Sequence, residues 1–165
     1  MASPAHLLAV DLGLHTGLAL FSAEPQLLWY RSHHLPNPQK LKKMIASLLR
    51  QSPQPAYIYI EGGGQLADLW SKEAARLAIP IKQIQAEQWR RQLFFDRQHA
   101  NGPLAKREAD GLARQVIDRL GIKQPTGLRH DTAEAILIGL YGLLELNWLA
   151  AWPPQPGRPS DQHDS

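Results

Sequence analysis

Cysteine is absent from all 165 residues, which excludes disulfides, zinc–thiolate centres and cysteine nucleophiles. A metal in this protein would be held by oxygen or imidazole, a ligand set that favours Mg²⁺ or Mn²⁺. No basic, apolar and small-residue leader precedes the first apolar run at Leu7, and a cytoplasmic protein is expected from that. The longest apolar stretch, Ala135 to Trp152, is interrupted by Glu145 and Asn147 and preceded by Glu134. A buried core helix is therefore expected there, and no membrane partner. What the sequence does have is 44% apolar residues and enough length for one α/β domain, not two.

The net charge is only +3, but it is unevenly spread. Between Gln88 and His130, nine Lys/Arg face four Asp/Glu, a local excess of +5. Such a region suits a polyanion, with Arg90, Arg91, Arg97, Lys106 and Arg107 as candidate nucleic-acid contacts. The alternative is a solvated helix face, since Lys106, Asp110 and Arg114 have the spacing of ordinary surface pairs.

Read in order, Leu7–Asp11 and Thr16–Phe21 form a hairpin, and Gln26–Arg31 a third strand. After Pro36 and Pro38, Leu41, Met44, Ile45, Leu48 and Leu49 recur at helical spacing, predicting a helix over 39–50. Tyr57–Ile60 is a strand, and Gly62-Gly63-Gly64 turns it into a helix over 65–77. A short strand over 79–84, a helix over 86–93 and a surface loop over 94–103 follow. A second amphipathic helix ends at Gly121, and the last helix is expected over 131–151. Residues 1–152 would make one domain and 153–165 a disordered tail. Strands followed by alternating strands and helices predict an α/β, mixed five-stranded sheet flanked by helices, an order that resembles the ribonuclease H-like architecture.

Four carboxylates stand out. Asp11 directly follows four apolar residues and ends a buried strand, where an unused charge is costly; the bland reading is an Asp-x-Gly turn. Glu61 ends the strand Tyr57–Ile60 and meets three glycines, which let a ligand or backbone come close. Asp131 and Glu134 open the last helix. They could cap its free amides or, as neighbours on one face, reach one ion together. Carboxylates supplied by separate elements make a divalent-cation site. His130 is a candidate ligand, hydrogen-bond donor to a ligand, general base or structural residue. Gly13 and Gly17 are similar to phosphate-binding turns, though the pattern is unspecific. Trp70 and Trp89 are expected in the core.

With these residues assembled, the chain resembles the RuvC-type Holliday-junction resolvases from about Leu7 to Leu144. The matching pieces are Val10-Asp11-Leu12-Gly13 with Gly17, Tyr59-Ile60-Glu61, Trp89, Ala105-Lys106-Arg107-Glu108-Ala109 and Asp131-Thr132-Ala133-Glu134-Ala135. The segment from Ala133 to Gly142 looks most like the plastid branch, which has glutamate where bacterial members usually have aspartate. The resemblance implies a homodimer that nicks a four-way DNA junction symmetrically, in a cytoplasmic, nucleoid-associated setting. It implies two Mg²⁺ (or Mn²⁺) ions per site, bridged by Asp11 and held by Glu61 on one side and by Asp131 with Glu134 on the other. One ion would activate the attacking water and the other stabilise the leaving 3′-oxygen. Lys106 matches a lysine near the scissile phosphate, and the helix over 65–77 matches one that helps form the dimer. RuvX-type nucleases of RNA maturation share the early motif and are the runner-up; a non-catalytic junction-binding protein is a third reading. Actin-like kinases also open on Asp-x-Gly but need two such domains, so no nucleotide cofactor is expected.

Overall fold

The first two strands are buried along almost their whole length, so helices must cover both faces of the sheet. A computed structural model describes residues 4–13, 15–35, 37–94, 102–121 and 128–153. The strands are β1 His6–Asp11, β2 His15–Ser22, β3 Gln26–His34, β4 Tyr57–Glu61 and β5 Ile81–Ile84. The helices are α1 Pro38–Arg50, α2 Gly64–Arg76, α3 Ala86–Leu93, α4 Gly102–Leu120 and α5 His130–Glu145. The five strands lie in the order β3-β2-β1-β4-β5. The pairs β1–β2 and β2–β3 are antiparallel, and β1–β4 and β4–β5 are parallel. This is the expected mixed five-stranded α/β architecture.

Side-chain alternation divides the core into two layers. Leu7, Ala9, Ala19, Phe21, Tyr59 and Ile84 face α3, α4 and α5. Leu8, Val10, Leu18, Leu20, Ile58 and Ile60 face α1 and α2. Helix α5 runs closest to the sheet, and its glycines explain how. A Cβ on Gly139 would lie 2.0 Å from the Phe21 ring, and one on Gly142 would lie 2.7 Å from Leu7. From Ala135 to Leu143 the helix is buried on every side.

Helix ends account for most differences from the expected boundaries. Pro38 opens α1, one residue before the expected start. The Asn37 side chain accepts from the Lys40 amide at 2.9 Å, and proline at the first helical position loses no needed donor. The last helix stops at Glu145, short of the expected residue 151. Asn147 takes a positive φ of 58°, and the Asn147 and Trp148 amides bond back to Leu144 and Leu143 at 3.2 and 2.9 Å. That is a Schellman stop with asparagine in the left-handed position. Helix α2 ends in the same way at Ala78, φ 54°, with the Ala78 and Ile79 amides on Ala75 and Ala74. This stop places Ile79 outside β5, which begins two residues later than expected. Most of the expected 94–103 loop, and the 153–165 tail apart from Pro153, lie outside the described residues.

Two substitutions test this account by chemical unfolding. Ala78→Gly, which relieves a left-handed alanine, raises stability by about 0.5–1 kcal/mol. Gly139→Ala gains helix propensity, yet overpacks Phe21 and lowers stability by about 1–3 kcal/mol.

Candidate metal centre

Strand register builds the site. Ser32 pairs with Gly17, Gly17 with Asp11 and Asp11 with Glu61, a single row across four strands. Residues paired in this way project from the same face. The row therefore aims Ser32, Asp11 and Glu61 at the N-terminus of α5, with no side chain between Ser32 and Asp11. The gap at Gly17 is filled by backbone: a Cβ there would sit 2.0 Å from the Asp131 carbonyl oxygen. Gly17 thus seats the start of α5 on the sheet, a role different from the phosphate-binding turn its spacing was compared with. At the end of β1 the Leu12 amide donates to the Glu61 carbonyl at 3.0 Å. Gly62, with φ 118°, turns the chain away where a Cβ would meet Leu12 at 2.7 Å.

Asp11, Glu61 and Glu134 each offer a carboxylate oxygen within 4.8 Å of the others. All three are partly buried. The expected convergence of three elements is therefore realised for these three. Asp131 takes a separate position, with its Oδ2 accepting a hydrogen bond from the Ser32 hydroxyl. It lies outside the 4.8 Å group but close enough to add negative potential at Asp11. Neither acid occupies the N-cap position, which is Arg129, and Arg129 makes no side-chain cap bond among the described residues.

Helix α3 supplies the counter-groups. The buried Trp89 donates its indole N–H to Glu61 Oε2 at 3.0 Å. Its neighbour Arg90 pairs with Glu134 at 3.0 Å and lies over the Trp89 ring, 4.9 Å from its centroid. Tryptophan at 89 is thus both core, as expected, and a donor to the site. Arg90, a candidate DNA contact by sequence, here touches a carboxylate. Arg91, Lys106 and Arg107 are exposed on α3 and α4, and Lys106 pairs with none of the acids among the described residues. Arg97 and the His130 side chain lie outside the described residues. Ser32 carried no signal in the sequence; only the register of β3 puts it beside Asp131. The third acid of the helix, Glu145, belongs elsewhere: it accepts from Tyr59 at 2.9 Å and from Lys82.

Electrostatics show what this grouping costs without a cation. Burial, then the charges of Glu134 and Glu61, push the Asp11 carboxyl from 3.8 up to about 9, with a hydrogen bond from Asp11 to Glu134. Burial also raises Glu61, against the opposing Trp89 hydrogen bond and Arg90 charge. A proton thus does at Asp11 what a cation would do. The donors are all hard carboxylate oxygens, which fit Mg²⁺ or Mn²⁺.

No protein-family model matches the sequence, and neither does any curated protein sequence. Among solved structures the chain is similar to T. thermophilus RuvC in complex with a Holliday junction substrate. The TM-score is 0.63 at 18% identity, over 87% of this chain and 95% of that one. At that identity the likeness establishes the fold: RuvC-like, within the ribonuclease H-like class. A simian T-cell lymphotropic virus intasome in complex with PP2A regulatory subunit B56 gamma matches at TM-score 0.32 and 10% identity, over 98% of this chain and 61% of that one. That score is too low to carry weight.

The raised Asp11 carboxyl predicts how stability depends on pH in the metal-free protein. The folded form keeps a proton that the unfolded chain releases, so stability is fullest below the ordinary carboxylate range. It falls as pH rises toward about 9. Asp11→Asn carries no charge to bury. It should exceed wild type at pH 8 in urea unfolding, and the gap should close by pH 4.

Proposed function

We propose that this protein is a divalent-metal-dependent endonuclease that nicks four-way DNA junctions. The observation that carries the reading is the meeting of Asp11, Glu61 and Glu134 oxygens within 4.8 Å, on a fold shared with a protein solved on a Holliday junction. Acidic groups from three elements, one driven to hold a proton, are a poor arrangement for any structural purpose. A cation turns the same arrangement to advantage.

In this reading Asp11, Glu61 and Glu134 hold Mg²⁺ or Mn²⁺. Asp131 contributes through Oδ1, because Ser32 engages Oδ2. A bound divalent ion supplies Lewis acidity at the scissile phosphate, and a pair of ions divides that work between the attacking and leaving oxygens. The chain's own groups set the geometry. Trp89 fixes the orientation of Glu61, Ser32 that of Asp131, and the seat at Gly17 holds Glu134 over the sheet. The exposed Arg91, Lys106 and Arg107, with Arg97 and Arg90, would contact phosphates of the branched DNA. Lys106 would offset charge developing at the phosphate.

A substrate with two equivalent cleavage points suits a homodimer, with α2 as the proposed contact. The likeness of the Ala133–Gly142 segment to the plastid branch, and a cytoplasmic, nucleoid-associated location, complete the proposal.

A labelled four-way junction incubated with the protein and Mg²⁺ tests it. Wild type should give paired nicks, and Asp11→Asn should lose about a thousandfold or more in rate. Junction binding without nicks at any Mg²⁺ or Mn²⁺ concentration would identify a binding protein instead. Cleavage of structured RNA in preference to the junction would identify the RuvX-type RNA nuclease.

A further inference from the structure

Arg90 sits against one of the carboxylates grouped at the acidic site. Its guanidinium is bonded to Glu134, one of the three grouped carboxylates, at 3.0 Å. The side chain is 31% exposed and Glu134 is 13% exposed, so the pair sits at the mouth of the acidic site. The pair does not exhaust the guanidinium. Its Nε is buried without a hydrogen-bond partner among the described residues, and the ring of Trp89 forms a stacking surface beneath it. Trp89 itself is fully buried and anchored on Glu61. The pivot is therefore rigid while the cation at its surface is only partly engaged.

We infer that Arg90 is an exchangeable counter-cation. It neutralises Glu134 while the site is free of metal, and passes to a backbone phosphate of the substrate once a divalent ion takes its place. The inference rests on the metal-nuclease reading above and adds a coupling between metal and DNA. A doubly charged ion held by Glu134 repels the guanidinium and removes its partner. A phosphate oxygen pair offers the planar fork a bidentate replacement. Metal and DNA should then strengthen each other's binding through this side chain. A fixed positioning role for Arg90 predicts the reverse for metal: loss of the guanidinium would disorder Glu134 and weaken the ion.

Two titrations on the full chain separate these outcomes, with wild type, Arg90→Gln and Arg90→Lys first checked for equal thermal unfolding. In Mn²⁺ titrations without DNA, read by electron paramagnetic resonance, Arg90→Gln should bind about fivefold tighter than wild type. Arg90→Lys, which keeps the charge, should stay close to wild type. Affinity for a four-way junction is then measured against salt, with Ca²⁺ present or with no divalent ion. With Ca²⁺ the wild-type slope of log K against log salt should exceed that of Arg90→Gln by about 0.9, one phosphate contact. Without a divalent ion the two slopes should coincide. Unchanged or weaker Mn²⁺ binding by Arg90→Gln, or a slope difference that ignores Ca²⁺, overturns the exchange. Absence of Mn²⁺ binding by wild type would instead overturn the nuclease reading itself, and is seen before any variant is compared.

Discussion

Everything at the acidic site depends on one close approach, the Asp131 carbonyl resting where a side chain at Gly17 would be, 2.0 Å from the position of its Cβ. No other residue type leaves that space. Because Gly17 lies between Ser32 and Asp11 in the cross-strand row, α5 lands on the sheet beside Asp11. One helical turn later, Glu134 reaches the carboxylates of β1 and β4. The same closeness continues along the helix through Gly139 against Phe21 and Gly142 against Leu7. Glycine within a helix costs about 1 kcal/mol; here it is offset by packing against two strands at once. The helix is thereby held at one height, and the height sets the distance between the acids.

Charge is the second constraint. Bringing Asp11, Glu61 and Glu134 together in a partly buried place opposes folding unless something positive or protonated intervenes. Three responses answer it: burial and the neighbouring acids raise Asp11 toward its neutral form, an indole donates to Glu61, and a guanidinium pairs with Glu134. Two of the three come from adjacent residues of the eight-residue helix α3. That short helix is therefore part of the site as well as cover for the core. Asp131 and Glu145, acids of the same final helix, are resolved differently, one by Ser32 and the other by Tyr59 and Lys82. Acidic residues on one helix can thus serve separate purposes, and the partner decides which.

The architecture and the acids are legible in the sequence alone. Strand ends carrying Asp11 and Glu61 broke the apolar pattern in a way turn chemistry alone did not require. The periodicities of α1, α2 and α4 were plain. Boundaries were less so, because a left-handed stop at Asn147 or Ala78 depends on amides and carbonyls several residues apart. Residue composition signals such stops weakly when glycine is absent.

By itself, then, the sequence determined the element order, the mixed sheet and the acids that interrupt apolar runs, since alternation and helical spacing are local properties. Tertiary structure decided which acids meet. Asp131 and Glu134 were equivalent by helical spacing, but strand register gave one a serine and the other a place beside Asp11 and Glu61. It also decided that Arg90 faces a carboxylate and that Trp89 donates to one. Those contacts join residues 28 to 99 positions apart, and no local pattern encodes a distance that only the packing of a helix on a sheet can set.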